Sequence, residues 1–354
     1  MDDFAAELVA RVRQAAAAKT PLRIRGGGSK DFYGGPLIGD IVDTRRHAGI
    51  VAYDPTELVI TARCGTQLSE IEAALAGERQ MLAFEPPRFD QAATLGGVVA
   101  AGLSGPRRVA AGSVRDFVLG LRMLDGRGEV LNFGGQVMKN VAGYDVSRLM
   151  AGAMGCMGLL LEVSLKVLPL PAMEATLRLE VPQGRALELL NGWAGRPLPI
   201  SASCWQDDVL TLRLSGANAA VAAACRQLGG ESVADGATFW LALREQRAAF
   251  FADDTPLWRL SLPSVAAPLD LPGAQLLEWG GALRWLKSGA APERIRAAAA
   301  GAGGHATLFR GSEEARAEGA FQVPPPPLLA LHVRLKRAFD PAGIFNPGRM
   351  FREF

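Results

Sequence analysis

Histidine and tyrosine are scarce, three of each in 354 residues. The three histidines, His47, His305 and His332, are too far apart to make a His-x-x-His metal pair. The four cysteines, Cys64, Cys156, Cys204 and Cys225, include no Cys-x-x-Cys pair. Neither an iron–sulfur cluster nor a zinc site is therefore written in the chain, and reduced core thiols are expected. No apolar run reaches the roughly 18 residues of a membrane span. An excess of one charge is also missing, because 38 Lys and Arg against 36 Asp and Glu leave a net charge of +2. That gives no field for nucleic acid and points to a small ligand. The acidic start, MDDFAAELVARVRQAAAA, reads as an amphipathic helix with Phe4, Leu8, Val9 and Val12 on one side. It does not suit a signal peptide, which predicts a cytoplasmic protein.

Glycine is plentiful, at 41 residues, and densest between Gly26 and Gly158, where backbone must turn sharply or approach a ligand. A short strand, Pro21 to Arg25, breaks at Gly26-Gly27-Gly28-Ser29-Lys30. Strands at 41–43 and 57–62 precede a helix starting at Thr66, the expected N-cap. Thr94-Leu95-Gly96-Gly97 opens a small-residue helix. Irregular stretches follow at Ser104-Gly105 and Gly112-Ser113-Val114-Arg115-Asp116, then a hairpin over 119–133. Lys139 to Asp145 precedes a short helix and the apolar strand Leu159–Val167, stopped by Pro169 and Pro171. Beyond residue 170 two successive α/β sandwich units are expected, with hairpins turning at 206–208 and 280–281. The tract Pro324 to Pro327 reads as a stiff spacer before a helix over 328–339 and a turn-rich tail.

Consecutive N–H groups in a glycine turn form a concave donor nest for a diphosphate. Gly26 to Lys30 fit that role, and Gly96-Gly97 at a helix start would add free N–H groups and a favourable dipole. The dinucleotide fingerprint GxGxxG is absent, because Asp31 stands at its last glycine position and the Gly152/155/158 series leads into a strand. A Walker loop is absent too, since Gly28-Ser29-Lys30 has the wrong order.

Together RGGGSKDFYGG, ATLGGVVAAGLSGP, GSVRDFVLGLRMLDGRGEVL, KNVAGYDVSRLMAGAMG and FDPAGIFNPGRMF resemble the vanillyl-alcohol-oxidase, or PCMH-type, flavoproteins. Within these the likeness is to the FAD-binding subunits of bacterial glycolate oxidases. The resemblance implies an α+β fold: a two-subdomain PCMH-type FAD-binding domain (1–170), a smaller ferredoxin-like α/β sandwich cap (171–322) and a C-terminal segment returning to the FAD domain (323–354). It implies non-covalent FAD, since Ser29 and Lys30 stand where covalent members carry His. Arg25, Gly26, Gly27, Gly28, Ser29, Lys30, Thr94, Leu95, Gly96 and Gly97 would wrap the diphosphate. Ser104, Gly105, Gly112, Ser113, Arg115 and Asp116 would line the flavin side, and Gly158, Leu159 and Leu160 the adenine end. Gly143, Tyr144 and Asp145 would close the site, with Asn346 and Arg349 near the isoalloxazine ring.

The function implied is oxidation of glycolate to glyoxylate. Electrons would pass through flavin to iron–sulfur clusters in a separate subunit, beside a second FAD-binding subunit. The membrane's inner face would be reached only through such partners. The sequence identifies no catalytic base and no metal site. Two alternatives stay open. One is a self-sufficient flavin oxidoreductase for a small 2-hydroxy acid, its carboxylate held by Arg259, Arg284 or Arg310. The other is a structural flavin subunit with the Trp279/Trp285 hairpin as an interface. Of the histidines, His332 is the candidate for a place near the flavin.

Overall fold

The computed structural model describes residues 3–135 and 145–354. Leu8, Val9, Val12 and Ala15 of the helix Asp3–Ala18 are buried at helical spacing, against a small sheet whose parallel strands are Leu22–Arg25 and Asp40–Asp43. The chain's tail completes this sheet. Leu22 N–H donates to the Ile344 carbonyl at 2.7 Å, and Asn346 N–H donates to the Leu22 carbonyl at 2.9 Å.

A second, antiparallel sheet takes Ile50–Asp54, Val59–Arg63, Leu159–Lys166, Val118–Leu124 and Val130–Gly134 in that spatial order. Its covered face buries Ile60, Val163 and Leu165 against Leu68, Ile71 and Leu75 of the helix Leu68–Gly77 and Val98 and Val99 of the helix Leu95–Ala101. The first of these helices starts later than its sequence suggests, and Gln67 takes the N-cap position without a side-chain bond. Thr66 is spent elsewhere: its hydroxyl donates to the Arg63 carbonyl at 2.7 Å and accepts from Gly49 N–H at 2.9 Å. That pins the turn around residue 49 to the sheet.

The third sheet has eight antiparallel strands, and its order exposes a repeat that the sequence conceals. Met173–Glu180, Ile200–Gln206, Val209–Gly216 and Glu231–Ser232 lie in the order fourth, first, third, second. Leu257–Ser261, Ala274–Glu278, Leu283–Lys287 and His305–Arg310 repeat that order in mirror sequence across the sheet. The two units meet second strand to second strand, Cys204 opposite Glu278 and Trp205 opposite Leu277. The first unit has a helix after its first strand, Gln183–Ala194. At the matching place the second unit has a loop held by Arg284, whose buried guanidinium donates to the carbonyls of Gly281, Ala267 and Ala266.

One face of this sheet packs on the first half of the chain. Leu276, Leu283, Trp285 and Phe309 share a core with Tyr33, Leu103, Met154 and Cys156. Trp279 and Trp285 are buried in that core, each 5% exposed, so they form no interface surface. Charged side chains stitch the seam: Glu85 accepts from the Arg107 backbone at 2.8 Å and from Arg213 at 2.9 Å.

The last helix is Pro326–Phe339 and takes in two of the prolines read as spacer. At the first positions of a helix the missing N–H is no loss. Only Lys336 of this helix is fully buried. Its ammonium donates to Asp340 at 2.6 Å, to the Cys156 carbonyl at 2.6 Å and to the Phe345 carbonyl at 2.8 Å. Asp340 in turn accepts from the N–H groups of Ile344 and Phe345 at 3.1 and 2.8 Å. Removing one member of a buried pair strands the other charge. Asp340→Ala should therefore lower the free energy of unfolding by about 3–5 kcal/mol, measured by urea denaturation, while Lys336→Met combined with Asp340→Leu recovers most of the loss.

Candidate functional site

The glycine loop leaves the strand Leu22–Arg25 and runs over the segment Ala92–Thr94. Side chains are excluded by closeness: a Cβ on Gly26 would overlap the Thr94 hydroxyl, one on Gly27 the Ala92 carbonyl, and one on Gly28 the Arg25 guanidinium. Gly28 also has a φ of +75°, a conformation that favours glycine. The backbone N–H groups of Gly26 to Lys30 form no hydrogen bond with any described residue. The five residues line a cleft together with Arg23, Arg25, Thr94, Gly97 and Arg349.

The helix start beside the loop differs from its sequence reading. Its N–H groups are already used: Leu95 donates to the Thr66 carbonyl at 2.9 Å, Gly96 to the Cys64 carbonyl at 2.8 Å, and Gly97 to the Thr94 hydroxyl at 3.3 Å. Gly96 is there for packing, since a Cβ would lie 2.8 Å from that of Cys64. Thr94 and Gly97 still line the cleft, but the free donors come from the loop alone.

The remaining expected residues are spread over several places. Ser104 and Gly105 border a second, smaller cavity, where Ser104 accepts from Val114 N–H at 3.1 Å and the Gly105 carbonyl accepts from the Trp279 indole at 3.0 Å. Gly112, Ser113, Arg115 and Asp116 form a closed turn, with Asp116 accepting from both the backbone and the hydroxyl of Ser113 at 2.8 Å. Gly158 lies tight against Leu124 and Met123, while Leu159 and Leu160 are core residues. Asp145 caps the helix Val146–Met150 and pairs with Arg148. Gly143 and Tyr144 lie outside the described residues.

Asn346 and Arg349 line the cleft but do more as clasps on its backbone. The Asn346 side chain accepts from Ile24 N–H at 2.9 Å and donates to the Met154 carbonyl at 2.7 Å. Arg349 donates to the carbonyls of Lys30, at 3.2 Å, and Asp31, at 3.0 Å, and also to that of Gly35. Burial lowers the Arg349 pKa to about 10, opposed by the charge of Asp31, so it stays cationic at neutral pH. Arg23 and Arg25 both pair with Asp31.

Lys30 is the reactive charge in this set. Burial lowers its pKa to about 8, against the pull of Glu245. Its ammonium contacts Ser29 at 3.3 Å, the Arg88 carbonyl at 3.4 Å and the Phe89 ring at 5.5 Å. Among the described residues it has no carboxylate within ion-pair reach. A buried cation beside a row of unbonded N–H groups is suited to a dianion, so the residues present fit a diphosphate.

Of the three cap arginines, Arg284 is structural, and Arg310 packs over Phe32, Phe89 and Phe309. Arg259 alone borders the second cavity. His47 is buried beside Phe4, His305 begins an outer cap strand, and His332 stacks on Phe351 at 5.9 Å. Among the described residues no three His, Cys, Asp or Glu side chains are grouped to hold a metal ion. Burial raises the pKa of Cys64 and Cys204, and that of Cys156 to about 12, so these thiols stay protonated. No described helix is long and apolar enough to cross a membrane.

A family described as FAD binding domain matches residues 4–134. Glycolate oxidase subunit GlcE of Escherichia coli is 53% identical over 351 residues, 99% of this chain and 98% of that protein. The chain belongs to the GlcE family. FAD is its cofactor, and the wider relatives are oxidoreductases. Glycolate oxidase subunit GlcD of Bacillus subtilis is 31% identical over 45% of this chain and 34% of its own length. D-lactate dehydrogenase of Anaerostipes hadrus is 32% identical over 41% and 29%. Alkyldihydroxyacetonephosphate synthase shares the fold, with a TM-score of 0.62 over 96% of this chain and 74% of its own at 14% identity.

Sequence reasoning did not single out Glu245, whose charge acts on Lys30 and whose carboxylate accepts from the backbone N–H groups of Arg88 and Phe89 at 3.0 and 2.9 Å. The loop chemistry predicts a pH effect. An anion favours charged Lys30, so FAD affinity should hold below about pH 8 and fall as the pH rises past the Lys30 pKa of about 8. Lys30→Gln should weaken FAD binding about 10–100-fold at pH 7 and flatten this profile, as measured by fluorescence titration of apoprotein.

Proposed function

We propose that the chain oxidises glycolate as the FAD-carrying subunit of a heteromeric glycolate oxidase. Its partners in this reading are a second FAD-binding subunit and an iron–sulfur subunit that carries electrons onward. The observation that carries it is the end-to-end 53% identity to a glycolate oxidase subunit, in a chain whose glycine loop and buried cations suit the diphosphate. Residues 1–170, with the tail over 323–354, would hold FAD, and 171–322 would cover the flavin. A chain with no Cys-x-x-Cys pair needs its iron–sulfur carrier on another subunit.

FAD supplies the two-electron acceptor when bound. The protein's part begins with charge: Lys30 and Arg349 offset the diphosphate, and Gly26 to Lys30 donate backbone N–H groups to it. Asn346 and Arg349 fix the path of that loop, so the donors are in place before the ligand arrives. Leu103, Leu283, Trp285 and Phe309 form an apolar seam that holds the eight-stranded sheet on the first half of the chain.

Purification of the tagged chain from native cells tests the reading. The expected product is a complex with more than one flavin and with iron–sulfur absorption, in which anaerobic glycolate bleaches flavin. A colourless chain without partners overturns it. Rapid turnover of glycolate by the chain alone instead supports a self-sufficient enzyme.

A further inference from the structure

The segment 82–93 is neither helix nor strand, yet the glycine loop rests on it. The Ala92 carbonyl occupies the place that a side chain on Gly27 would need, and the Arg88 carbonyl accepts from the Lys30 ammonium at 3.4 Å. The Phe89 ring lies 5.5 Å from the same ammonium. Where Lys30 carries its charge therefore depends on where Arg88 and Phe89 are held.

They are held from the cap. The N–H groups of Arg88 and Phe89 both donate to one carboxylate oxygen of Glu245, at 3.0 and 2.9 Å. Phe89 has a φ of +58°, uncommon for a bulky residue, and backbone of this kind turns successive N–H groups towards one anion. The segment meets the cap a second time at Glu85, which accepts from Arg213 at 2.9 Å.

Glu245 stands at the C-terminal end of the helix Gly236–Arg244, where the helix dipole disfavours a carboxylate. It is 6% exposed, so water does little to offset that. Its other oxygen accepts from Arg244 at 2.8 Å. Arg244 is 3.8 Å from Glu72, which also pairs with Arg88. A buried anion at the unfavourable end of a cap helix thus draws two of its hydrogen bonds from the backbone beneath the cradle.

We propose that Glu245 is a positioning residue for the cofactor: through the Arg88–Phe89 backbone the cap sets Lys30 in the cradle, so tight FAD binding requires a seated cap. This rests on the glycine loop as the diphosphate site and is independent of the substrate. The dependence is mutual by linkage, and bound FAD should hold the cap more firmly.

Charge acts in the same direction as geometry. Burial lowers the Lys30 pKa to about 8, and the Glu245 carboxylate opposes that fall. The other charges around the loop are Arg23, Arg25, Asp31 and Arg349 along the cleft, with Arg88, Arg244 and Glu72 behind the segment. Without the Glu245 charge the Lys30 pKa drops further, and the ammonium is lost at lower pH.

Fluorescence titration of the apoprotein with FAD, over neutral and alkaline pH, tests this on Lys30→Gln, Glu245→Gln, Glu245→Ala and Lys30→Gln combined with Glu245→Gln. Glu245→Gln keeps an oxygen for the two N–H groups but removes the charge. It should weaken FAD about 3–10-fold at pH 7 and move the alkaline loss of affinity below the wild-type value of about 8. Glu245→Ala also removes the clasp and should weaken FAD about 10–100-fold. In the Lys30→Gln background, Glu245→Gln should cost less than about twofold more, because both substitutions act on one charge. Hydrogen exchange in the helix Gly236–Arg244 should slow when FAD is added to the wild type and not in Glu245→Ala. Wild-type affinity and pH profile in Glu245→Gln, full additivity with Lys30→Gln, or equal slowing of exchange in wild type and Glu245→Ala overturns the proposal. Unchanged FAD affinity in Lys30→Gln overturns the cradle itself as the diphosphate site.

Discussion

A loop of three glycines has no side chains with which to fix itself, and here its shape comes from the chain's other end. Arg349 spans the carbonyls of Lys30, Asp31 and Gly35, and Asn346 takes up the Ile24 amide. Both belong to a tail whose course depends on the buried pair Lys336–Asp340. The N–H groups of Gly26 to Lys30 stay unbonded among the described residues while Arg349 holds the carbonyls where the loop ends. Pre-arrangement of this kind lowers the ordering cost of binding.

Much of this was legible in residue order. The glycine loop, the hairpin over 119–133, the cap hairpins turning near residues 207 and 280, and the return of the tail all follow from turn chemistry and from motifs in series. The rest was hidden for definite reasons. Gly96-Gly97 looks like a donor pair, but whether an N–H is free depends on which carbonyl lies opposite it, here those of Cys64 and Thr66. Asn346 and Arg349 carry no mark that separates a ligand contact from a backbone clasp. Two related α/β units were legible beyond residue 170, but not their mirrored strand order, and the second unit replaces a helix with a loop on Arg284.

The joining of two like units also settles what covers their edges. Edge strands of separate sheets would each need covering; pairing at Cys204 and Glu278 removes two edges at once and makes one broad surface.

The bridge between Phe345 and Leu22 also affects how the protein matures. Its contacts span 322 positions between Ile24 and Asn346, and such long-range closure is slow because chain entropy is lost before the contact forms. On a ribosome the glycine loop emerges early and waits, unclasped, for nearly the whole of synthesis. Capture of the cofactor is therefore a last step, and a nascent chain stalled before the tail would be left with an open, glycine-rich edge for chaperones to guard.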